Sequence, residues 1–149
     1  MSQPSTDAIV QVLKAKGLRV TPQRFAVYAN LLARTDHPTV EQLLVDLNQD
    51  CPVSSQATIY SSLQALRTAG LIREVLLEAG VSRYDAKVEP HHHFHCQDCG
   101  SIEDIGWDAV PIVSLDRLRV GLQAHTYELT VRGCCERCQA AVVCSSRSF

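Results

Sequence analysis

No apolar run in this sequence approaches the ~20 residues that a membrane-spanning helix requires, so no transmembrane segment is expected. The opening Met1-Ser2-Gln3-Pro4-Ser5-Thr6-Asp7 lacks both the basic start and the apolar stretch of a secretory signal, and the expected location is the cytoplasm. There is no basic excess to announce a polyanion partner: formal net charge is −2. Residues 1–83 carry 8 Lys and Arg against 7 Asp and Glu, and residues 84–149 carry 6 against 9, so only the second part is acidic. Neither a helical His-Glu-x-x-His pattern nor an evident Ser–His or Cys–His nucleophile arrangement is present, which argues against a metal hydrolase or a covalent-intermediate enzyme. Internal repeats and low-complexity stretches are also missing. The seven cysteines are odd in number and do not make a closed disulfide framework; their CxxC pairs suit a metal in a reducing compartment better.

What the chain does have is concentrated in His91-His92-His93-Phe94-His95-Cys96-Gln97-Asp98-Cys99-Gly100, which holds four of the six histidines and two of the seven cysteines. Nitrogen and sulfur donors at this density point to a transition metal. A second pair, Cys135-Glu136-Arg137-Cys138, lies downstream. Two CxxC pairs supply Cys96, Cys99, Cys135 and Cys138, enough to close a tetrahedral shell around one structural zinc with no position left for substrate. Cys134 adjoins the second pair and could exchange with Cys135, although the two-residue spacing favours Cys135. On a strand His91 and His93 share a face while His92 points away. Two imidazoles call for a second metal and further ligands, for which His37, Asp85, Glu103 and Asp104 are the candidates.

Apolar content of 46% is enough for a packed core. Helical spacing predicts a first helix over 6–16, with Ile9, Val12, Leu13 and Lys16 in one stripe and Gly17 at its end. A second helix to about Ala33 starts from Thr21-Pro22, a third opens with the capping box Thr39-Val40-Glu41-Gln42, and a fourth runs from Ser54 or Ser55 to about Ala69, stopped by Gly70. Two strands, Leu71–Leu77 and Val81–Asp85, then form a hairpin around Glu78-Ala79-Gly80. Helices followed by a hairpin give a winged helix-turn-helix over residues 1–86. Composition changes near Lys87-Val88-Glu89-Pro90, and residues 87–149 read as a second, α/β domain. It is expected to hold a strand into Cys96, a short strand near Ser101–Trp107, a helix near Asp108–Leu122 and an alternating strand over His125–Arg132. The tail after Ala141 has no pattern and is expected to fray. The fold class is therefore α+β.

The outward face of the fourth helix carries Ser55, Gln56, Thr58, Tyr60, Ser61 and Gln64, short hydroxyls and amides suited to base edges and phosphates. Arg19, Thr21, Gln23 and Arg24 lie where phosphate contacts to the same duplex would arise.

These motifs occur in a known order. Val20-Thr21-Pro22-Gln23-Arg24, His37-Pro38-Thr39, Ala57-Thr58-Ile59-Tyr60, Ser82-Arg83-Tyr84-Asp85, His91-x-His93-x-x-Cys96-x-x-Cys99-Gly100 and Cys135-x-x-Cys138 resemble the ferric uptake regulator family over about residues 8–140. Within it the chain looks most like the peroxide-responsive repressors. The resemblance implies a homodimeric, metal-dependent transcription repressor, with an N-terminal winged-helix DNA-binding domain and a C-terminal α/β dimerisation domain, acting on a palindromic double-stranded operator. It implies structural zinc on Cys96, Cys99, Cys135 and Cys138, and regulatory Fe(II) or Mn(II) on His37, Asp85, His91, His93 and Asp104. Asp rather than Glu at position 104 is the usual mark of the peroxide sensors, in which iron-catalysed oxidation of a ligating histidine, here His37 or His91, ends repression. Tyr60 would approach base methyl groups and Arg24 a phosphate; Ser61 stands where many relatives have a basic residue. Some relatives have a third metal site, to which His92 or His125 could contribute. The competing expectations are an iron- or zinc-level sensor on the same fold, a metal hydrolase and a purely structural zinc protein. Cys51, Cys134 and Cys144 receive no role from the resemblance.

Overall fold

A computed structural model describes residues 3–49 and 55–141. The alternative cap Ser54, the cysteines Cys51 and Cys144 and the tail beyond Ala141 lie outside the described residues. The architecture is α+β, and the chain divides into two compact units, Met1–Val88 and Glu89–Phe149.

The first unit contains α1 (Thr6–Ala15), α2 (Pro22–Leu32), α3 (Val40–Leu47) and α4 (Gln56–Thr68), then the antiparallel hairpin of β1 (Arg73–Glu78) and β2 (Val81–Asp85). Local chemistry sets the helix ends. Ser5, Thr21, Thr39 and Ser55 each accept a backbone N–H in the first turn. Thr39 and Gln42 form a reciprocal capping box, with Gln42 Oε1 accepting from Thr39 N at 2.9 Å. Gly17 and Gly70 both adopt φ +72°, the left-handed conformation that closes α1 and α4 at little steric cost. Ile9, Leu13, Val27, Leu31, Val40, Leu43, Ile59, Leu63 and Leu66 bury one stripe from each helix in a common core with Leu71, Ile72 and Tyr84 of the hairpin. Val12, expected in the stripe of α1, is 37% exposed at its margin.

Leu66 is completely buried in α4. Leu66→Ala is expected to lower stability by about 2–5 kcal/mol. Val45→Ala, at a site 63% exposed, should stay within about 0.5 kcal/mol of the parent. Urea unfolding of both variants checks the pair.

The second unit is built on a three-stranded sheet in the order β4-β3-β5, with β3 (His92–Cys96) central. β4 (Ile102–Ile105) pairs antiparallel to it and β5 (Thr130–Gly133) parallel to it. A short α5 (Glu136–Ala140) follows.

Two expectations fail in this unit. The helix near Asp108–Leu122 does not form: a single 3-10 turn at Trp107–Ala109 is followed by irregular chain with isolated turns, such as Leu118 N to Leu115 O at 3.1 Å. Pro111 sits among the β-branched Val110, Ile112 and Val113, which favour extended backbone. A helix this short depends on burying an apolar face, whereas Ile112 is 88% and Val120 94% exposed. The strand expected over His125–Arg132 is confined to Thr130–Gly133. Alternation sets which face a side chain takes, but the ladder reaches only as far as the neighbouring strand offers partners, and pairing to β3 starts at His93–Thr130.

Candidate metal centres

The first centre comes from two turns at one end of the sheet. Cys96 ends β3, Cys99 lies in the turn after it, Cys135 immediately precedes α5 and Cys138 is within it. Because β3 and β5 run parallel, both cysteine pairs emerge at the same end. The sulfurs of Cys96, Cys99, Cys135 and Cys138 lie within 4.8 Å of one another. Cys135 N donates to Cys96 Sγ at 3.3 Å, and Cys99 Sγ is 3.6 Å from Cys135 Sγ. The four thiols do not share one acidity. Cys99 is drawn down to about 6, first by the Ser101 hydroxyl, 3.2 Å from its sulfur, and then by the Ser101 backbone N–H. Burial pushes Cys96 up, but the backbone N–H groups of Cys99, Cys135 and Asp98 outweigh it and hold it below the usual thiol value. Cys138 is pushed up to about 12, chiefly by Cys135. Clustered thiols resist losing their last proton because the sulfur charges repel one another. A thiophilic dication would remove that conflict, so the donor set fits such an ion. Cys134 stands outside this cluster, its Sγ 3.1 Å from Asp98 Oδ2.

The second unit also holds a nitrogen and oxygen group. His91 and His93 fall on one face at the start of β3, their Nε2 atoms 3.1 Å apart. The register pairs His93 with Asp104 and Phe94 with Glu103, so Asp104 is the acidic residue delivered to the imidazoles. Asp104 Oδ1 lies 3.3 Å from His91 Nε2 and 3.9 Å from His93 Nε2. Glu103 is exposed on β4. His91 Nδ1 is 2.7 Å from the carbonyl oxygen of Glu89, which can only accept. That bond leaves the Nε2 lone pair of His91 facing the other donors.

In the first unit His37 and Asp85 form a pair, Nε2 to Oδ2 at 3.4 Å. His37 is a non-glycine residue at φ +53°, an uncommon conformation that His tolerates better than most. The neighbouring chain holds it there. Pro38 O accepts from Tyr84 N at 3.1 Å, and Arg83 Nη1 donates to His37 O at 3.2 Å. The same strand carries Asp85, whose Oδ1 accepts from Lys87 N at 2.8 Å. The fold therefore ties the loop of His37 to the end of β2 and brings imidazole and carboxylate together.

The polar face of α4 is only partly available. Gln56, Tyr60, Ser61 and Gln64 are exposed, Tyr60 at 48%. Ser55 and Thr58 instead bond to each other, Oγ to Oγ1 at 2.9 Å, while Ser55 caps the helix. Thr21 likewise spends its hydroxyl on capping α2 at Arg24 N, 3.1 Å away. Arg19 is exposed, and Gln23 and the side chain of Arg24 are half-buried, with Arg24 donating to Arg19 O.

A third metal site does not assemble from His92 or His125 among the described residues. His92 accepts from Leu129 N at 3.2 Å and stacks with Trp107 and Tyr127, at ring distances of 4.6 and 5.8 Å. Exposed His125 lines a cavity of about 430 Å³ with Pro90, Trp107, Thr126 and Tyr127. Sequence reasoning missed Glu128. Its Oε1 lies 2.7 Å from Nδ1 of His93, and only the β3–β5 register could have pointed to it.

The model of the ferric uptake regulator family matches residues 15–132. The chain is 32% identical over 130 residues to the peroxide operon regulator of Bacillus subtilis, covering 87% of this chain and 90% of that one. Among solved structures it resembles the Vibrio cholerae ferric uptake regulator, with a TM-score of 0.61 and 26% identity over 84% of this chain and 98% of that one. It shares its fold with the Helicobacter pylori ferric uptake regulator, at a TM-score of 0.67 and 19% identity over 93% of this chain and 97% of the other; that protein is described as having three functional metal-binding sites. With its motifs, its fold and most of its length in common with these proteins, the chain belongs to the ferric uptake regulator family of metal-responsive regulators.

Proposed function

We propose that this protein is a metal-dependent repressor of transcription that senses peroxide. The observation that carries the reading is the contrast between its donor sets. Cys96, Cys99, Cys135 and Cys138 offer only sulfur, the choice of a structural zinc. His91, His93 and Asp104 in one unit, and His37 with Asp85 in the other, offer only nitrogen and oxygen, the choice of Fe(II) or Mn(II). The 32% identity to the peroxide operon regulator of Bacillus subtilis supports the same reading, as does Asp at position 104.

In this reading all five residues hold one ion, and their joint engagement fixes the angle between the two units. The first unit would present α4 to the major groove, with Gln56, Tyr60 and Ser61 toward base edges and Arg19 and Gln23 toward phosphates. Thr21, Arg24, Ser55 and Thr58 would set the backbone that supports them. The second unit would form the homodimer, so that two α4 helices meet the half-sites of a palindromic duplex. A ligand shifts such an equilibrium only through its different affinity for the two arrangements, and ligands divided between two units provide that difference. One oxygen of a peroxide would add to an imidazole carbon of His37 or His91 and the other would leave as water, the imidazole giving up two electrons; Fe(II) held by these residues would supply the O–O cleavage chemistry, which Mn(II) on the same ligands would not. An oxidised imidazole loses its basic nitrogen; the remaining ligands then no longer fix the two units, and repression ends.

Peptide mass spectrometry after one brief peroxide exposure tests this directly. One added oxygen on the His37 or His91 peptide is expected in Fe(II)-loaded protein and none in Mn(II)-loaded protein. Unmodified histidines in both would reject peroxide sensing and leave a regulator of iron or zinc level.

A further inference from the structure

His93 is completely buried, and its two ring nitrogens face different partners. Nε2 looks toward His91 Nε2 at 3.1 Å and Asp104 at 3.9 Å. Nδ1, on the other side of the ring, lies 2.7 Å from Oε1 of Glu128, whose side chain is 33% exposed. The contact lies off the N–H axis, but a carboxylate oxygen this close to Nδ1 still favours the tautomer with the proton on that nitrogen. His91 is held in that same tautomer by the carbonyl of Glu89. With both Nδ1 atoms protonated, the two Nε2 lone pairs point at each other across 3.1 Å. Neither can donate to the other, and a shared cation relieves their repulsion.

The two imidazoles nevertheless differ. A neutral carbonyl backs His91 and an anion backs His93. A carboxylate behind an imidazole raises the basicity of its far nitrogen and fixes the ring orientation, and losing such a partner typically lowers metal affinity about 10–100-fold. The register holds this carboxylate in place. Leu129, the next residue, accepts from His93 N at 3.0 Å and donates to His92 Nδ1 at 3.2 Å.

We propose that Glu128 is a positioning residue for the regulatory ion, fixing His93 as the Nδ1–H tautomer and strengthening Nε2 as a ligand. The proposal rests on the regulatory-site reading above. Its test uses zinc-replete protein with Glu128→Ala, Glu128→Gln and His93→Ala. Mn(II) affinity is read from the free-ion signal in electron paramagnetic resonance, and the His93 tautomer from nitrogen-15 imidazole spectra without added Mn(II). Glu128→Ala should weaken Mn(II) binding about 10–100-fold and release the tautomer preference. Glu128→Gln keeps an accepting oxygen without the charge, so it should retain the tautomer and recover part of the affinity. Zinc content and unfolding midpoint should not change. Mn(II) affinity in Glu128→Ala within about twofold of the parent, or an unchanged His93 tautomer, would overturn the positioning role while His93→Ala still abolished binding. Full Mn(II) binding by His93→Ala would instead overturn the regulatory-site reading, and this proposal with it.

Discussion

Cys96→Ser is expected to abolish the proposed structural zinc site and the ordered structure of the second unit, while the first unit continues to unfold cooperatively. The second unit has little else to hold it together. Among the described residues from Glu89 onward, the buried apolar side chains are Ile102 and two of the four cysteines, and the other buried positions are histidines. A unit of this size cannot supply much stability from so small a core. Structural zinc contributes an apparent binding free energy of about 10–16 kcal/mol, which becomes folding free energy when the site does not exist in the unfolded chain. Serine cannot replace the thiolate of Cys96, which is fully buried and accepts from Cys135 N. Zinc analysis with limited proteolysis reads the result: rapid cleavage beyond residue 89 and a protected first unit. A Cys96→Ser protein that kept one zinc per chain and resisted the protease would refute the structural role of the cluster.

The second large effect is expected at His37. Changing it should erase the increase in DNA affinity proposed for Mn(II), typically 5–150-fold for coupled sites of this kind, and leave metal-free binding unaltered. Alanine would mix two effects, because residue 37 has φ +53°, a conformation that His and Asn adopt more readily than alanine. Asparagine tolerates that conformation and lacks the imidazole, so His37→Asn isolates the ligand. The ties from Arg83 to His37 O and from Tyr84 to Pro38 O involve backbone oxygens and survive either change. Fluorescence anisotropy of a labelled operator, with and without Mn(II), provides the measurement. An undiminished Mn(II) effect in His37→Asn would remove His37 from the regulatory set and leave the two units without their proposed link.

The first unit was legible because its signals are local. Caps at Thr21, Thr39 and Ser55, stops at Gly17 and Gly70 and apolar stripes three to four residues apart each act within a few turns. The CxxC pairs were legible for the same reason. The choice between Glu103 and Asp104 was not, because strand register decides it and sequence spacing does not. Residues 108–129 misled because helical spacing and alternation describe the face a side chain would take, given something to pack against. Ile112 and Val120 are almost wholly exposed. Glu128 carried no signal, since its relation to His93 exists only through the parallel pairing of β3 and β5. Coordinates were needed for a different point: Ser55 and Thr21, read both as caps and as DNA contacts, have their hydroxyls occupied at helix starts.

That parallel pairing also has a consequence for synthesis. An antiparallel partner can follow its neighbour after a tight turn, but β5 must wait for the whole crossover from Cys96 to Thr130 to leave the ribosome. The partner cysteines Cys135 and Cys138 emerge later still. The winged unit, complete by Val88, can therefore fold well before the strand carrying His92 and His93 acquires its second neighbour. A nascent chain passes through a stage in which α4 can be formed and the second sheet cannot, so the arrival of residues 130–138 decides when the cysteine cluster can assemble.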